Sequence, residues 1–382
     1  MPQSGANQQM KVAVTTLVFC VAALLALGMV MLYSSSMTQV GARFLLMQLV
    51  WCAAGLVACV VAASLDYRIL KRYWWALLGV AIVLLVAVLL PQFGRRINGA
   101  QRWISLGPMN LQPSELGKLA LIVALAWYGD HFQRQMGTFK RGIFFPALII
   151  VPMLALIFVE PDRGTTVLLA AVSGAMLMVA GVRWRFFIPP MLLAGTGLAF
   201  SLWHDPMRMK RIFSWIYLEE NKSGVGYQAY QAMLALGSGG WLGLGLGNGR
   251  QKLGFVPEHH TDFILSIIGE ELGLIATLLV VAGFIIFVIC GFYIAYRARD
   301  TFGLLLAVGI TLLIGLQAAI NIGVVTSALP NKGLPLPFIS YGGSNLLTML
   351  TCVGVLLSVA RRARVTESLA DETVTMRELQ TA

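Results

Sequence analysis

The sequence predicts an all-α polytopic membrane protein of about ten transmembrane helices, with a long outer loop between the seventh and the eighth. Three observations carry that expectation. Hydrophobic residues make up 58% of the 382-residue chain and charged residues only 12%, against roughly a quarter charged in soluble domains. Apolar runs near the ~20 residues that cross a ~30 Å hydrocarbon core recur from end to end, leaving little room for a separate soluble domain. Basic residues gather in every second connection, as they do on the cytoplasmic side of a membrane.

The first apolar run, 12–33, follows the polar start MPQSGANQQMK. It is too long for a signal h-region and lacks a small-residue cleavage site, so it reads as a retained span. Further spans are expected at 44–64, 73–90, 112–129, 142–159, 164–181, 186–203, 262–292, 302–327 and 336–360. With residues 1–11 cytoplasmic, every inner turn is basic: Arg68, Lys71 and Arg72; Arg134, Lys140 and Arg141; Arg183 and Arg185; Arg297 and Arg299; Arg361, Arg362 and Arg364. The chain 1–382 is then a single membrane domain, with 204–261 a large extracytoplasmic loop and 361–382 a short, flexible cytoplasmic tail. Cys20, Cys52, Cys59, Cys290 and Cys352 all lie within apolar runs, as small buried hydrophobes rather than disulfide or metal partners. The formal charge of +11 has no basic helix or aromatic-interleaved patch behind it outside the spans. It argues against nucleic acid and for anionic lipid or a phosphorylated substrate.

The same topology puts Arg95, Arg96, Arg102, Arg163 and Lys332 on the outer side, against the charge rule. Either they meet lipid headgroups or an anionic ligand binds there. Three outer stretches are candidates for its site. In GRRINGAQRWISLGPMNLQPSELGK, read as an outer loop, Pro113 opens a helix bearing Glu115 and Lys118, three residues apart and so on one face. In 204–261, an amphipathic piece at 227–236 leads into GSGGWLGLGLGNGRQKLG. Those glycines lack the Lys-Ser/Thr ending and preceding strand of a nucleotide loop, and predict close backbone packing instead. In LPNKGLPLPFISYGGSNL, prolines and glycines interrupt the last two apolar runs around Lys332. Nonhelical backbone at membrane depth requires protein or water around it, so this is a plain hairpin or a site wall.

A fourth stretch, FVPEHHTDFILSIIGEELG at 255–273, places the lone carboxylate of Asp262 where a polar loop meets an apolar helix. Thr261 or Asp262 is expected to cap that helix, and an ordinary cap is the plain alternative to a functional acid. Asp262, Ser266, Gly269 and Gly273 share one helical stripe, with Glu270 at its margin and Glu271 on the opposite side. Glu258 and His260 crowd further polar groups onto its mouth, where ionisable side chains are costly unless they pair or work.

Taken together, NGAQRWISLG with QPSELGK, the run from GYQAYQAMLALGSGG to HTDFILSIIGEELG, and LPNKGLPLPFISYGGSNL resemble the SEDS family of cell-wall glycosyltransferases over nearly the whole chain. The lysine of PNKG and the QKLGFVPEHHTDFI run look more like the division-type members than the elongation-type ones. The resemblance implies a bacterial inner-membrane protein with both termini cytoplasmic, found at the division septum. It implies polymerisation of lipid II, with an undecaprenyl-diphosphate-linked glycan as donor. Asp262 maps onto the family's catalytic carboxylate, a general base that takes the acceptor hydroxyl proton. Substrate binding falls to Arg102, Glu115, Lys118, Glu258, His260, Lys332, Ser340, Tyr341, Gly342 and Gly343. Arg102 and Lys332 would stabilise the departing diphosphate, and Lys118, with Glu115 alongside, would lie within ~10 Å of Asp262 and pair with it. No metal ligand cluster is evident; a divalent cation, Mg or Mn, sharing the diphosphate charge is the one cofactor left open. The implied partners are a class B penicillin-binding transpeptidase and other division membrane proteins. A lipid II flippase, an elongation-type polymerase and a recruiting scaffold are the competing readings.

Overall fold

A computed structural model of the chain describes residues 3–36, 41–97, 100–107, 109–204, 206–222, 224, 226–255 and 260–381. Its helices are α1 (Gln3–Ser36), α2 (Arg43–Ser64), α3 (Arg68–Arg72), α4 (Trp74–Leu89), α5 (Pro113–His131), α6 (Phe145–Val159), α7 (Arg163–Val179), α8 (Ile188–His204), α9 (Pro206–Ile216), α10 (Tyr227–Ser238), α11 (Ile264–Tyr296), α12 (Thr301–Val325) and α13 (Gly343–Thr381). Each of the ten expected spans finds a helix: α1, α2, α4 to α8, and α11 to α13. Among the described residues, six stretches, in α1, α2, α6 with the π turn before it, α11, α12 and α13, are long and apolar enough to cross a membrane, and α4 and α7 are shorter apolar helices.

Helix α5 is the axis of the bundle. Pro113 at its first turn has no N–H to leave unpaired. Fifteen of its nineteen residues are buried, packed by α4, α6, α7, α12 and α13. Because α5 is enclosed by protein, it can carry Glu115 and Lys118 where a lipid-facing helix could not.

Two expectations about local structure are corrected. Residues 94–111, read as a loop, form a three-stranded antiparallel sheet of β1 (Gly94–Ile97), β2 (Ala100–Leu106) and β3 (Met109–Leu111), with Arg95 opposite Trp103 and Ile104 opposite Leu111. Aromatic and β-branched residues in the middle strand favour pairing, and Gly107 supplies the left-handed turn between β2 and β3 at φ 69°. The segment after Arg364, read as a flexible tail, continues α13 to Thr381. Residues 365–381 contain no Gly or Pro to stop it.

The Gly-rich stretch packs backbone against backbone, as expected, and it does so inside a broken helix. At Gly273 (φ 80°, ψ −176°) α11 leaves helical geometry. The carbonyls freed there accept from the glycine loop, Leu244 N to Glu270 O and Gly245 N to Glu271 O, both at 3.0 Å. In return Gly240 and Trp241 offer carbonyls to Leu274 N and Ile275 N. A Cβ on Gly239 or Gly243 would run into the Gly269 or Glu271 carbonyl. Gly273, expected to be one small residue on a continuous stripe, is therefore the break itself, because only glycine adopts that conformation without strain.

Side chains lock the inserted loop. The carboxylate of Glu270 accepts from Arg250 N at 2.8 Å and from Gln251 N. Fully buried Glu271 pairs with the buried ammonium of Lys252 at 2.6 Å and accepts from Ser34 Oγ of α1 at 2.6 Å and Gly247 N at 3.0 Å. Removing one member of such a pair strands the other charge in a dry site. Lys252→Met and Glu271→Leu should each lower stability by ~3–5 kcal/mol in thermal unfolding of the detergent-solubilised protein, and the double variant should lose less than their sum.

Candidate active site

Three consecutive residues ahead of α11 are fixed by their carbonyls. His260 O accepts from Tyr341 N at 3.0 Å, Thr261 O from Ser340 Oγ at 2.6 Å, and Asp262 O from Asn321 Nδ2 at 2.7 Å. Asn321, on α12, also donates to Leu334 O at 2.7 Å, so one amide joins the Asp262 segment to the strap of residues 326–342 between α12 and α13. The strap is a wall, not a plain hairpin: Leu334, Leu336, Phe338 and Ile339 are buried, and a Cβ on Gly28 in α1 would meet the Ile339 backbone. The residue capping α11 is Phe263, with no side-chain cap bond. Neither Thr261 nor Asp262 is the expected cap. The Asp262 carboxylate turns instead to the strap, where its Oδ2 would stand 2.6 Å from a Cβ built on Gly333.

Lys332, next to Gly333, is half-buried. Burial and the neighbouring Arg163 guanidinium hold its ammonium pKa below the ordinary value. Arg163 opens α7, and the following Gly164 packs directly on Leu334. Two cations are thus neighbours on the strap side of α7, one of them adjacent in sequence to the Gly333 that the Asp262 carboxylate approaches.

The other expected site residues fall into distinct places. Arg102 donates from Nε to Glu160 O at 2.9 Å and from Nη2 to Pro161 O, fastening the sheet to the corner between α6 and α7. Ser340 is a bracket: its hydroxyl donates to Thr261 O and accepts from Leu336 N at 2.8 Å. Tyr341, His260 and Phe44 form a three-ring cluster, with the Tyr341 and His260 centroids 4.7 Å and 4.9 Å from Phe44 and 5.9 Å from each other. Gly342 N donates to Gln48 Oε1 at 3.3 Å, and a Cβ on Gly343 would enter the Trp51 indole, so this glycine pair seats the strap on α2. Glu258 lies outside the described residues.

The expected ion pair of Lys118 with Asp262 is not formed. Lys118 is wholly buried and donates to Glu115 Oε1 at 2.9 Å and Gln317 Oε1 at 3.0 Å. Glu115 accepts from Asn345 Nδ2 of α13 at 3.1 Å, and Gln317 Nε2 donates to Pro335 O of the strap at 2.9 Å. The reason is local: Glu115 stands one turn away on the same helix, and a buried ammonium takes the nearest carboxylate. Glu115 and Lys118 therefore reach the strap from beneath.

Sequence reasoning passed over the α6–α7 corner. Asp162 caps α7, accepting from Thr165 N at 3.1 Å and Thr165 Oγ1 at 3.0 Å, and it receives Gln112 Nε2 at 3.2 Å. Glu160 is fully buried, and neither of its carboxyl oxygens has a hydrogen-bond partner. Burial above all, with Asp162 adding and Arg102 opposing, pushes its pKa up to about 8. The one signal in the sequence was two acids flanking a proline at the outer end of an apolar run. Among the described residues, no group of three or more His, Cys, Asp or Glu side chains comes together to hold a metal ion.

A family model described as cell cycle protein, FTSW_RODA_SPOVE, matches residues 15–365. The chain belongs to that family. Among its relatives, the probable peptidoglycan glycosyltransferase FtsW of Trichlorobacter lovleyi is 41% identical over 350 residues, covering 90% of this chain and 92% of the relative. The FtsW of Pseudomonas fluorescens, given the same description, is 39% identical over 90% of this chain and 86% of its own. The fold matches a chain of a peptidoglycan synthase complex, solved to show how polymerization and crosslinking are coordinated, at a TM-score of 0.78 and 28% identity over 91% of this chain and 97% of that one. It also matches the rod shape determining protein RodA of Thermus thermophilus at 0.68 and 30% identity, over 90% of this chain and 95% of that one. The all-α polytopic membrane fold read from the sequence is thus the fold of the FtsW/RodA family.

Within this family member, Glu160 gives a test of the corner. The unfolded chain releases the Glu160 proton near 4.5, while the folded chain holds it to about 8. Stability should therefore fall as pH rises between those values, then level off. Glu160→Gln, neutral throughout, should match wild type in thermal unfolding at pH 4 and exceed it by a margin that grows up to pH 8.

Proposed function

We propose that this chain is a division-type peptidoglycan glycosyltransferase that polymerises lipid II on the outer face of the bacterial cytoplasmic membrane. The observation that carries the proposal is the Asp262 carboxylate, laid on the strap at Gly333 next to Lys332 and held by fixed backbone on both sides. The FtsW relatives at about 40% identity supply the activity by name.

In the proposed reaction, the 4-hydroxyl of the acceptor sugar attacks the anomeric carbon of the lipid-linked donor. The bond from that carbon to the diphosphate oxygen breaks, and the hydroxyl proton passes to Asp262. Undecaprenyl diphosphate leaves with the bonding electrons. Lys332 and Arg163 oppose the charge that develops on it. Arg102, already engaged with two backbone carbonyls, contributes its charge from the rim while anchoring the sheet. A single base with several cations suits inversion at the anomeric carbon, in contrast to the paired carboxylates of a glycosidase. A divalent cation such as Mg or Mn is the one cofactor this reading leaves open; it would share the diphosphate charge, and among the described residues no cluster of His, Cys, Asp or Glu is gathered to hold it.

The same reading gives the chain cytoplasmic termini, an outer loop at 204–261 and a place at the division septum. Its partners would be a class B penicillin-binding transpeptidase and other division membrane proteins, in keeping with the synthase complex whose fold it shares.

The test is to incubate the purified protein and its transpeptidase partner with lipid II and look for glycan polymer that persists in penicillin. Asp262→Asn keeps size and loses the base, so polymerisation should drop by ~10²- to 10⁴-fold with insertion and folding intact. A wild-type rate in that variant would remove Asp262 from the chemistry. Translocated but unpolymerised lipid would mark a flippase.

Lys332→Ala should slow polymerisation far more than Arg96→Ala, since Arg96 is exposed on β1 with a 3.4 Å contact to Gln101. Because the Lys332 pKa is held down, the needed cation is fully present at low pH and lost as pH rises through that lowered value. The wild-type rate should fall on the alkaline side earlier than an ordinary lysine would dictate, and equal small losses in both variants would count against a diphosphate at Lys332.

A further inference from the structure

We propose that Gly333 is a positioning residue, whose missing side chain is what allows the Asp262 carboxylate to lie on the strap beside Lys332. The inference rests on the reading of Asp262 as the base. A Cβ at Gly333 would stand 2.6 Å from Asp262 Oδ2 and 3.6 Å from Asp262 Cγ. The first distance is closer than real Cβ contacts come, and among the described residues outside the immediate neighbours no other atom lies within 4 Å.

Glycine is often required because the backbone takes a left-handed conformation. That explanation fails here: Gly333 is not among the glycines with φ in the positive range, which include Gly240, Gly243 and Gly273. Alanine is conformationally admissible at 333, and among the described residues its methyl would meet the Asp262 carboxylate alone.

What yields is then decided by what is held. Leu334 is buried, its side chain rests on Gly164, and its carbonyl receives Asn321 Nδ2 at 2.7 Å. The Asp262 backbone is tied to the same amide at 2.7 Å. With strap and loop both pinned to Asn321, an added methyl bears on the Asp262 carboxylate rather than on the backbone. An added methyl therefore swings the base away from its place and leaves the fold alone. Misplacement by about 1 Å is enough to cost ~10²-fold in a reaction that depends on alignment.

The experiment has a kinetic arm and a stability arm. In the polymerisation assay with the partner present, Gly333→Ala should lower kcat by ~10- to 100-fold, change KM for lipid II less than threefold, and shift the acid limb of the pH profile, since Asp262 then sits in a different field. In the stability arm, Gly333→Val should lower Tm in the wild-type background and not in an Asp262→Gly background, where the clashing group is gone. Wild-type kcat in Gly333→Ala, or equal Tm losses from Gly333→Val in both backgrounds, would overturn the proposal. Wild-type protein that makes no polymer would instead defeat the glycosyltransferase reading, and the Tm cycle would still decide whether Gly333 and Asp262 are coupled.

Discussion

Backbone that leaves a helix at membrane depth must find its hydrogen-bond partners in protein, because the hydrocarbon offers none. This chain breaks twice near its outer face, at Gly273 in α11 and across the strap at 326–342, and the two breaks answer the requirement differently. At Gly273 the glycine loop pairs its own N–H and C=O groups with those the helix releases. Along the strap, side chains do the work: Asn321, Ser340, Gln48 and Gln317 each bind backbone of residues 334–342. Asp262 lies just ahead of the helix that carries the first break, and its side chain rests on the second. The acid is stiff because the two repairs meet around it.

Beneath that platform lies a polar network that open solvent does not reach. Lys118, Glu115, Gln317 and Asn345 join α5, α12 and α13 through bonds of 2.9–3.1 Å, and Gln317 passes the connection on to Pro335. Buried charges are a poor source of net stability. They are a good source of registry, since each partner satisfies the next in only one arrangement. On this account the ion pair on α5 fixes the height of the strap, and through the strap the setting of Asp262, without touching it.

Much of this was legible in the sequence, for identifiable reasons. Span positions follow from apolar run length alone, so all ten found helices. Asp262 stood out because a single acid at a polar-to-apolar junction is costly, and the proline and glycine punctuation around Lys332 marked a wall. What escaped depends on pairing between distant residues or on local competition. The Asn98-Gly99 pair, a strong hairpin signal, was passed over within a basic stretch. Residues 98–99 themselves lie outside the described residues. Spacing alone shows Glu115 beside Lys118, but not that Gln317, rather than Asp262, completes the lysine's partners. Gly273 was counted as small when its conformation mattered, and nothing near Glu160 in the sequence reveals that its carboxyl finds no partner.

At the outer mouth two cations share one neighbourhood, Arg163 at the start of α7 and Lys332 on the strap. Arg163 sits in the first turn of α7, where the positive end of the helix disfavours a cation. Lys332 is half-buried near it, and burial and that neighbour both lower the pKa of its ammonium. Gly164 on Leu334 keeps α7 against the strap, so Arg163 and Lys332 stay neighbours. In the proposed reaction, a diphosphate leaving group near this pair would be favoured most as negative charge builds on the departing oxygen, which is a preference for the transition state over the bound substrate.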